Sequence, residues 1–253
     1  MKFVLRAVRA EQVKLRGTLA LRLCFIAPAL VVGLSVLQLL LVDSAQPMPT
    51  PELGWQRFAQ GVLVLWSFLM LPLYITLQSA LLAGLEHGGH LWKHLLALPV
   101  PRRAHYLGKA VVLAAMVLLA MLVLVLLILL GGKLLMMSNN SLGIGGSPPW
   151  RFLLTRGSAI CAASFFIIAL HLWIAIRWPS FTVAVASGMT ATVAGFLIAQ
   201  SARFGHWYPW SMPMQVLAGE GEKIGFVITA GLCGGVVVLL LGLRDFNRRD
   251  MAG

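Results

Sequence analysis

Acidic residues are scarce in this chain: 8 Asp and Glu stand against 20 Lys and Arg in 253 residues. Charged residues of both signs make up 11% of it, where a soluble domain carries roughly 25%. The eight acids are Glu11, Asp43, Glu52, Glu86, Glu220, Glu222, Asp245 and Asp250, and each falls outside the long apolar runs. Intramembrane proteases and proton-driven carriers keep ionisable groups within the bilayer, so this scarcity argues against both. His171 is the one candidate inside a run, to be read as a packing or hydrogen-bonding residue or, alternatively, as a proton relay. Cysteine is nearly absent as well. Cys24, Cys161 and Cys233 all sit in apolar runs and read as small packing residues rather than disulfide partners. No GxxxxGK[ST] phosphate loop occurs, since Gly132-Lys133 is followed by Leu134. Without one the chain has no means of hydrolysing ATP itself.

What fills the sequence is apolar surface. Hydrophobic residues make up 59%, and the mean hydropathy is +0.88. Six runs are long enough to cross a hydrocarbon core of roughly 30 Å: Leu21–Val42, Phe58–Ala83, Gly108–Gly132, Phe152–Ile176, Phe181–Ala202 and Ile224–Leu243. Lipid forces every backbone polar group to pair internally, so the runs are helices. The expected fold is an all-α membrane protein with six transmembrane helices in a single domain, 1–253. The first run follows a basic lead-in of about twenty residues, exceeds a signal peptide's apolar core and lacks an A-x-A site, so it reads as an uncleaved span.

Charge sets the expected orientation. Lys2, Arg6, Arg9, Lys14, Arg16, Arg22, Lys93, Arg102, Arg103, Lys109, Arg177, Arg244, Arg248 and Arg249 fall on the side of the two termini. Arg57, Lys133, Arg151, Arg156, Arg203 and Lys223 fall on the other. Fourteen against six places both termini in the cytoplasm. The net charge of +12 then belongs to a rim facing the membrane rather than to a nucleic-acid surface. Residues 1–20 begin with Phe3, Val4, Leu5 and Val8 among Lys and Arg, the pattern of an interfacial amphipathic helix.

Three polar interruptions carry the candidate function. On the outer side, residues 203–222 bring Trp207, Tyr208 and Trp210 together with Pro209 and Pro213. They read as an interfacial aromatic anchor or as a short re-entrant cap over a path. Within the second run, Pro72 offers a bend, and Thr76, Gln78 and Ser79 follow it as candidates for a translocation path. The third interruption, residues 84–107, contains "EHGGHLWKHLLALPVPRRAHYLGK", Glu86 to Lys109. Leu91, Leu95 and Leu98 form one helical stripe there, and Pro99 with Pro101 ends it. The short helix is open to three readings: a surface helix in the lipid interface, a docking knob for a cytosolic partner, or a metal site on His87, His90 and His94 with Glu86. No HExxH or cysteine pair supports the metal. In the fifth run Ala184, Gly188, Ala191 and Gly195 lie near one face, for packing within the chain or against a second copy.

The Glu86–Lys109 segment resembles the cytoplasmic loop of ABC type-2 exporter permeases. That loop tends to run Glu, Gly, Thr or similar, Trp, Lys, a Leu pair, Pro-Val, a basic pair, then Lys leading into the third span. Here Gly89-His90-Leu91-Trp92 stands where the family has Gly-Thr before Trp. Arg9–Leu23, with Glu and Lys ahead of the first span, is similar to the family's lead-in helix, and Tyr208–Pro213 resembles its Pro-Trp motif before the last span. The likeness is greatest to the branch with lantibiotic-immunity and related peptide or drug export permeases. It implies that 84–107 holds a coupling helix seated on a separate ATPase, with Glu86, Trp92, Lys93, Leu95, Leu96 and Pro99 as coupling positions. Trp92 and the leucines would fill a groove, while Glu86 and Lys93 would set register by charge. It further implies two ATPase copies that carry ATP and Mg, a second permease as homodimer or related heterodimer, membrane lipid around the spans, and a bacterial inner membrane. A secondary transporter, or less readily an intramembrane enzyme, is the alternative.

Overall fold

The computed structural model describes residues 2–41, 50–88, 92, 95, 97, 99–138, 143–201, 203–218 and 222–248. Their regular structure is helical: α1 (Lys2–Leu15), α2 (Leu19–Leu41), α3 (Pro51–Leu65), α4 (Leu71–Gly88), α5 (Arg102–Met137), α6 (Trp150–Ala163), α7 (Phe165–Arg177), α8 (Phe181–Ala199), α9 (Met212–Ala218) and α10 (Glu222–Arg248). Six helical stretches are long and apolar enough to span a membrane: Leu19–Leu41, Pro51–Gly88, Arg102–Met137, Trp150–Arg177, Phe181–Ala199 and Lys223–Arg248. Most outrun the apolar segments read from sequence, because a helix continues past the hydrocarbon until a cap stops it. At 36 residues and 1.5 Å per residue, α5 is about 54 Å long, so its first turns stand clear of the apolar core.

α1 ends where Gly17 takes a positive φ of 76°, a left-handed stop that suits glycine. The chain then turns, and α1 lies on α5 instead of extending α2. Gly108 permits that approach. A methyl group there would come within 2.9 Å of the Ala7 Cβ.

The second span is interrupted by a π-helical turn, Trp66–Met70, in which the Leu71 amide bonds back to the Trp66 carbonyl. Pro72 follows directly and has no N–H to offer the helix. The wide turn absorbs that missing donor.

α2 packs on α5, α10 on α7, and α4 lies against both α7 and α8. The core includes Trp55, Trp66, Leu63, Leu113, Leu124 and Ile128. Leu118, Leu122, Leu126, Leu130 and Leu134 are instead exposed along one face of α5. In water such a stripe would be costly; in a bilayer it is the lipid-facing surface.

Candidate functional site

Two glutamates and two lysines meet where α1, α4 and α5 converge. Lys109 on α5 reaches Glu86 Oε2 at 2.6 Å and Glu11 Oε2 at 2.9 Å. Lys14 on α1 reaches Glu11 Oε1 and Glu86 Oε1, both at 2.7 Å. Each carboxylate therefore bridges both ammonium groups, and the quartet is neutral. Lys109 donates its third N–H to the Leu82 carbonyl at 3.2 Å, so all three donors are engaged. Glu11, Glu86 and Lys109 are almost fully buried, and Lys14 closes the solvent side at 29% exposure. Burial by itself pushes the Glu11 carboxyl upward, but Lys109 and Lys14 prevail and hold it below the ordinary 4.5. Burial likewise opposes the Lys14 charge, and the bonds to Glu11 and Glu86 overcome it and raise that group above 10.5. A buried pair stripped of one partner leaves an uncompensated charge; here each ion has two partners.

Beside the quartet, Trp92 is 6% exposed. Its Nε1 donates to His87 Nδ1 at 3.1 Å. That bond fixes the tautomer, so His87 Nε2 carries the proton and donates to the Ala175 carbonyl at 3.0 Å. The Trp92 ring meets Phe246 edge-on, with centroids 5.5 Å apart, and the Lys109 ammonium lies 5.7 Å from its centroid. Asp245, one residue before Phe246, accepts from Trp173 Nε1 at 3.0 Å and pairs with Arg177 at 3.6 Å. The N-terminal helix, the loop after α4 and the C-terminal helix thus share one end of the bundle.

These positions revise how the loop residues are used. The sequence reading has Glu86 and Trp92 meeting a partner directly. In the structure Glu86 has no exposed surface and Trp92 almost none; both are bound within the chain. Leu95 is half-buried and Pro99 exposed, and Trp92, Leu95 and Ala97 have helical backbone. Lys93 and Leu96, with His90 and His94, lie outside the described residues. Among the described residues no group of three metal-binding side chains comes together, and both His87 ring nitrogens are engaged as above.

A cavity of about 310 Å3 opens next to His87 between α4, α7 and α8. Gly84, Gly88, Ala80 and Ala184 line it, with Trp178 and Phe181. A Cβ added at Gly84 or Gly88 would meet nothing within 4 Å. Each glycine in a helix costs about 1 kcal/mol relative to alanine, and no close neighbour requires either one. Their effect is to widen the cavity.

Further into the span, Thr76 donates to the Pro72 carbonyl at 2.8 Å and contacts His171 Nε2 at 3.2 Å. With its own proton on Pro72, the Thr76 hydroxyl accepts from His171 Nε2–H, and His171 Nδ1 is left without a partner. Gln78 bonds to the Ala20 carbonyl at 2.8 Å and Ser79 to the Thr76 carbonyl at 2.8 Å. Thr76, Gln78 and Ser79 are all buried among the chain's own helices. Gly188 closes over this cluster; a Cβ there would collide with the Thr76 side chain and come within 2.7 Å of His171 Cε1.

The aromatic segment read as an outer cap is split. Trp207 is 62% exposed and packs on Phe226 at 4.7 Å. Trp210 turns inward, 9% exposed, and meets His171 edge-on at 5.4 Å. Tyr208 bonds from its hydroxyl to the Ala191 carbonyl at 3.0 Å, and Gly195 admits Trp210, whose Cβ would lie 3.0 Å from an added methyl. Gly188, Ala191 and Gly195 therefore face the chain's own residues, and Ala184 is buried beside the cavity.

Sequence reasoning missed the quartet as a unit. Its signal was the scarcity of acids together with Glu11 and Lys14 one turn apart, but nothing in the sequence says that Lys109 reaches back 98 residues to Glu11.

No curated protein matches the chain. Residues 7–195 match the family described as ABC-2 family transporter protein, a stretch that takes in the quartet, the Trp92 loop, the cavity and most of α8. This six-span, multi-pass membrane chain belongs to that family.

Proposed function

We propose that the chain is the permease subunit of an exporter whose ATP is hydrolysed, with Mg, by a separate cytosolic subunit present in two copies. Its quartet end is the cytoplasmic end, docked on those ATPases in a bacterial inner membrane. The observation that carries this reading is the position of Glu86: the last turn of α4 is locked to α1 and α5 by two lysines. A push on the loop after α4 then moves three helices together. Leu95 and Pro99 would form the surface that meets the ATPases, and the family resemblance assigns Lys93 and Leu96 the same role. Glu86 and Trp92 act one layer deeper, tying that surface to the bundle. ATPase closure would tilt α4 against α8 through the Thr76–His171–Gly188 contact, and Trp210 would respond at the outer side.

The transported compound is amphipathic and peptide-like, antibiotic-like or lipid-like. What supports this is the mixed polar and apolar cavity beside His87, open at the level of the Gly84 and Gly88 turn. Its volume suits one apolar group rather than a folded domain. A second copy of the chain, or a related permease, would complete the path. The test is Leu96→Asp alongside Trp92→Ala in the reconstituted complex. Leu96→Asp should release the ATPase, while Trp92→Ala should keep it bound but uncouple hydrolysis from transport. Full transport in both variants would reduce the loop to a surface helix.

A further inference from the structure

A second, shallow and wide-open cavity of about 560 Å3 lies on the surface at the other end of the bundle, around the first turns of α6. Its wall includes Pro149, Trp150, Arg151, Phe152, Thr155 and Arg156. Two guanidinium groups line one cavity, and among the described residues neither forms an ion pair with an acid. Arg156 is held in place: its Nη1 donates to the Val216 carbonyl on α9 at 2.7 Å, leaving its other N–H groups for a further acceptor. Arg151 is exposed. The first turn of α6 carries no acidic residue to balance them.

Apart from Thr155 the remaining wall is apolar or aromatic, and exposed apolar surface continues beside it at Leu154. Trp150 is 51% exposed, and Leu154, one turn further along the helix, is 60% exposed. Trp150, Arg151 and the bare Leu154 fall within five residues, the order of a membrane boundary with indole at the headgroups and aliphatic surface below, and Arg156 follows two residues past Leu154. Guanidinium is the side chain best matched to phosphate oxygens, through paired N–H donors. We propose that this cavity binds the phosphate headgroup of an anionic glycerophospholipid, Arg151 and Arg156 gripping the phosphate while Trp150 and Phe152 flank the glycerol and upper acyl chain. A peptide carboxylate would satisfy the arginines but would leave the exposed Trp150 and neighbouring Leu154 without an apolar partner. The site is separate from the quartet and the His87 cavity, and stands whether or not the chain works with an ATPase.

The test is lipid retention by the purified, delipidated full chain, read by native mass spectrometry. Titration with dioleoyl-phosphatidylglycerol should give one tightly held lipid, and dioleoyl-phosphatidylcholine should bind more weakly. Arg151→Gln should weaken the phosphatidylglycerol about fivefold, the worth of one basic residue near a charged lipid surface. Arg156→Gln should weaken it at least as much. Because the latter also removes the Val216 bond, Arg151→Gln is the decisive variant. Lys133→Gln, a charge removed from the same end but outside the cavity, should change nothing. Glycerol 1-phosphate at equal concentration should not displace the lipid. Equal affinity for the two lipids, unchanged binding in Arg151→Gln, an equal loss in Lys133→Gln, or full displacement by glycerol phosphate would each overturn the assignment.

Discussion

The Lys109 ammonium lies 2.6 Å from the Glu86 carboxylate, both buried to within 1% of complete exclusion from solvent. The two residues begin and end the polar segment singled out in the sequence, so this bond closes the loop between the second and third spans at its base. Lys109→Met should leave Glu11 and Glu86 facing each other with one lysine between them, at a cost of about 3–5 kcal/mol. The double variant Lys109→Met with Glu86→Gln should be less damaging than Lys109→Met alone, because the orphaned charge is then gone. Thermal unfolding of the four proteins in detergent checks this; additive losses would mean the pair is not coupled.

The quartet also sets a pH window for docking of α1. Glu11 is depressed on folding, so its contribution is present above 4.5 and is lost as pH falls through its lower folded value. Lys14 is raised, so its contribution is present below 10.5 and is lost as pH rises through its higher folded value. A cysteine at Leu15, a buried position, in a chain otherwise free of cysteine should resist a pyridyl disulfide, which unlike maleimides still reacts with thiols in acid, between those limits and become reactive on the acid side. Glu11→Gln should narrow the protected range. A reactivity independent of the Glu11 substitution would remove the quartet from the account of α1.

The spans were legible in the sequence because hydropathy and length are local, additive quantities. The six apolar runs fall on six helical spans, two of them interrupted inside, at the π turn Trp66–Met70 and at Ser164, and their ends differ where caps and amphipathic turns prolong a helix beyond the lipid. Pro72 announced a defect, but the π turn ahead of it depends on where the carbonyls find new donors. The polar residues were harder. Glu86, Trp92 and Lys109 were recognisable as members of a motif, yet motif position does not say whether a side chain faces a partner or its own bundle. That is decided by residues far off in the chain, Glu11, Lys14 and Phe246, whose nearness is a product of helix packing. The Arg151–Arg156 cavity left no pattern in the sequence beyond its charge.

Trp92 gives a test of the inward-facing arrangement. Trp92→Phe keeps most of the ring against Phe246 but removes the donor to His87, and should cost about 1 kcal/mol. Trp92→Ala removes the ring as well and should cost about 3–5 kcal/mol. The loss should appear in chemical denaturation and as increased protease access to the last turns of α10. Equal, negligible effects would place Trp92 on an outer surface.

Two glycines should behave in opposite ways. Gly188→Leu would drive a side chain into Thr76 and His171, and should prevent stable folding. Gly84→Leu points into open space, and should leave the melting temperature within a few degrees while occluding the cavity. Proteoliposomes containing the complex and loaded with a fluorescent amphipathic peptide should therefore lose ATP-dependent movement of the label in Gly84→Leu with ATPase still bound. Unchanged movement would take the cavity off the path.

The most direct measurement is the composition of the complex. Affinity-purified from its own membranes, the intact chain should bring down an ABC-type ATPase in a one-to-one ratio, and Leu96→Asp should abolish that recovery without reducing the amount of inserted permease. A chain that purifies without an ATPase, yet still moves an amphipathic compound under an ion gradient alone, would contradict the assignment and leave a secondary transporter in its place.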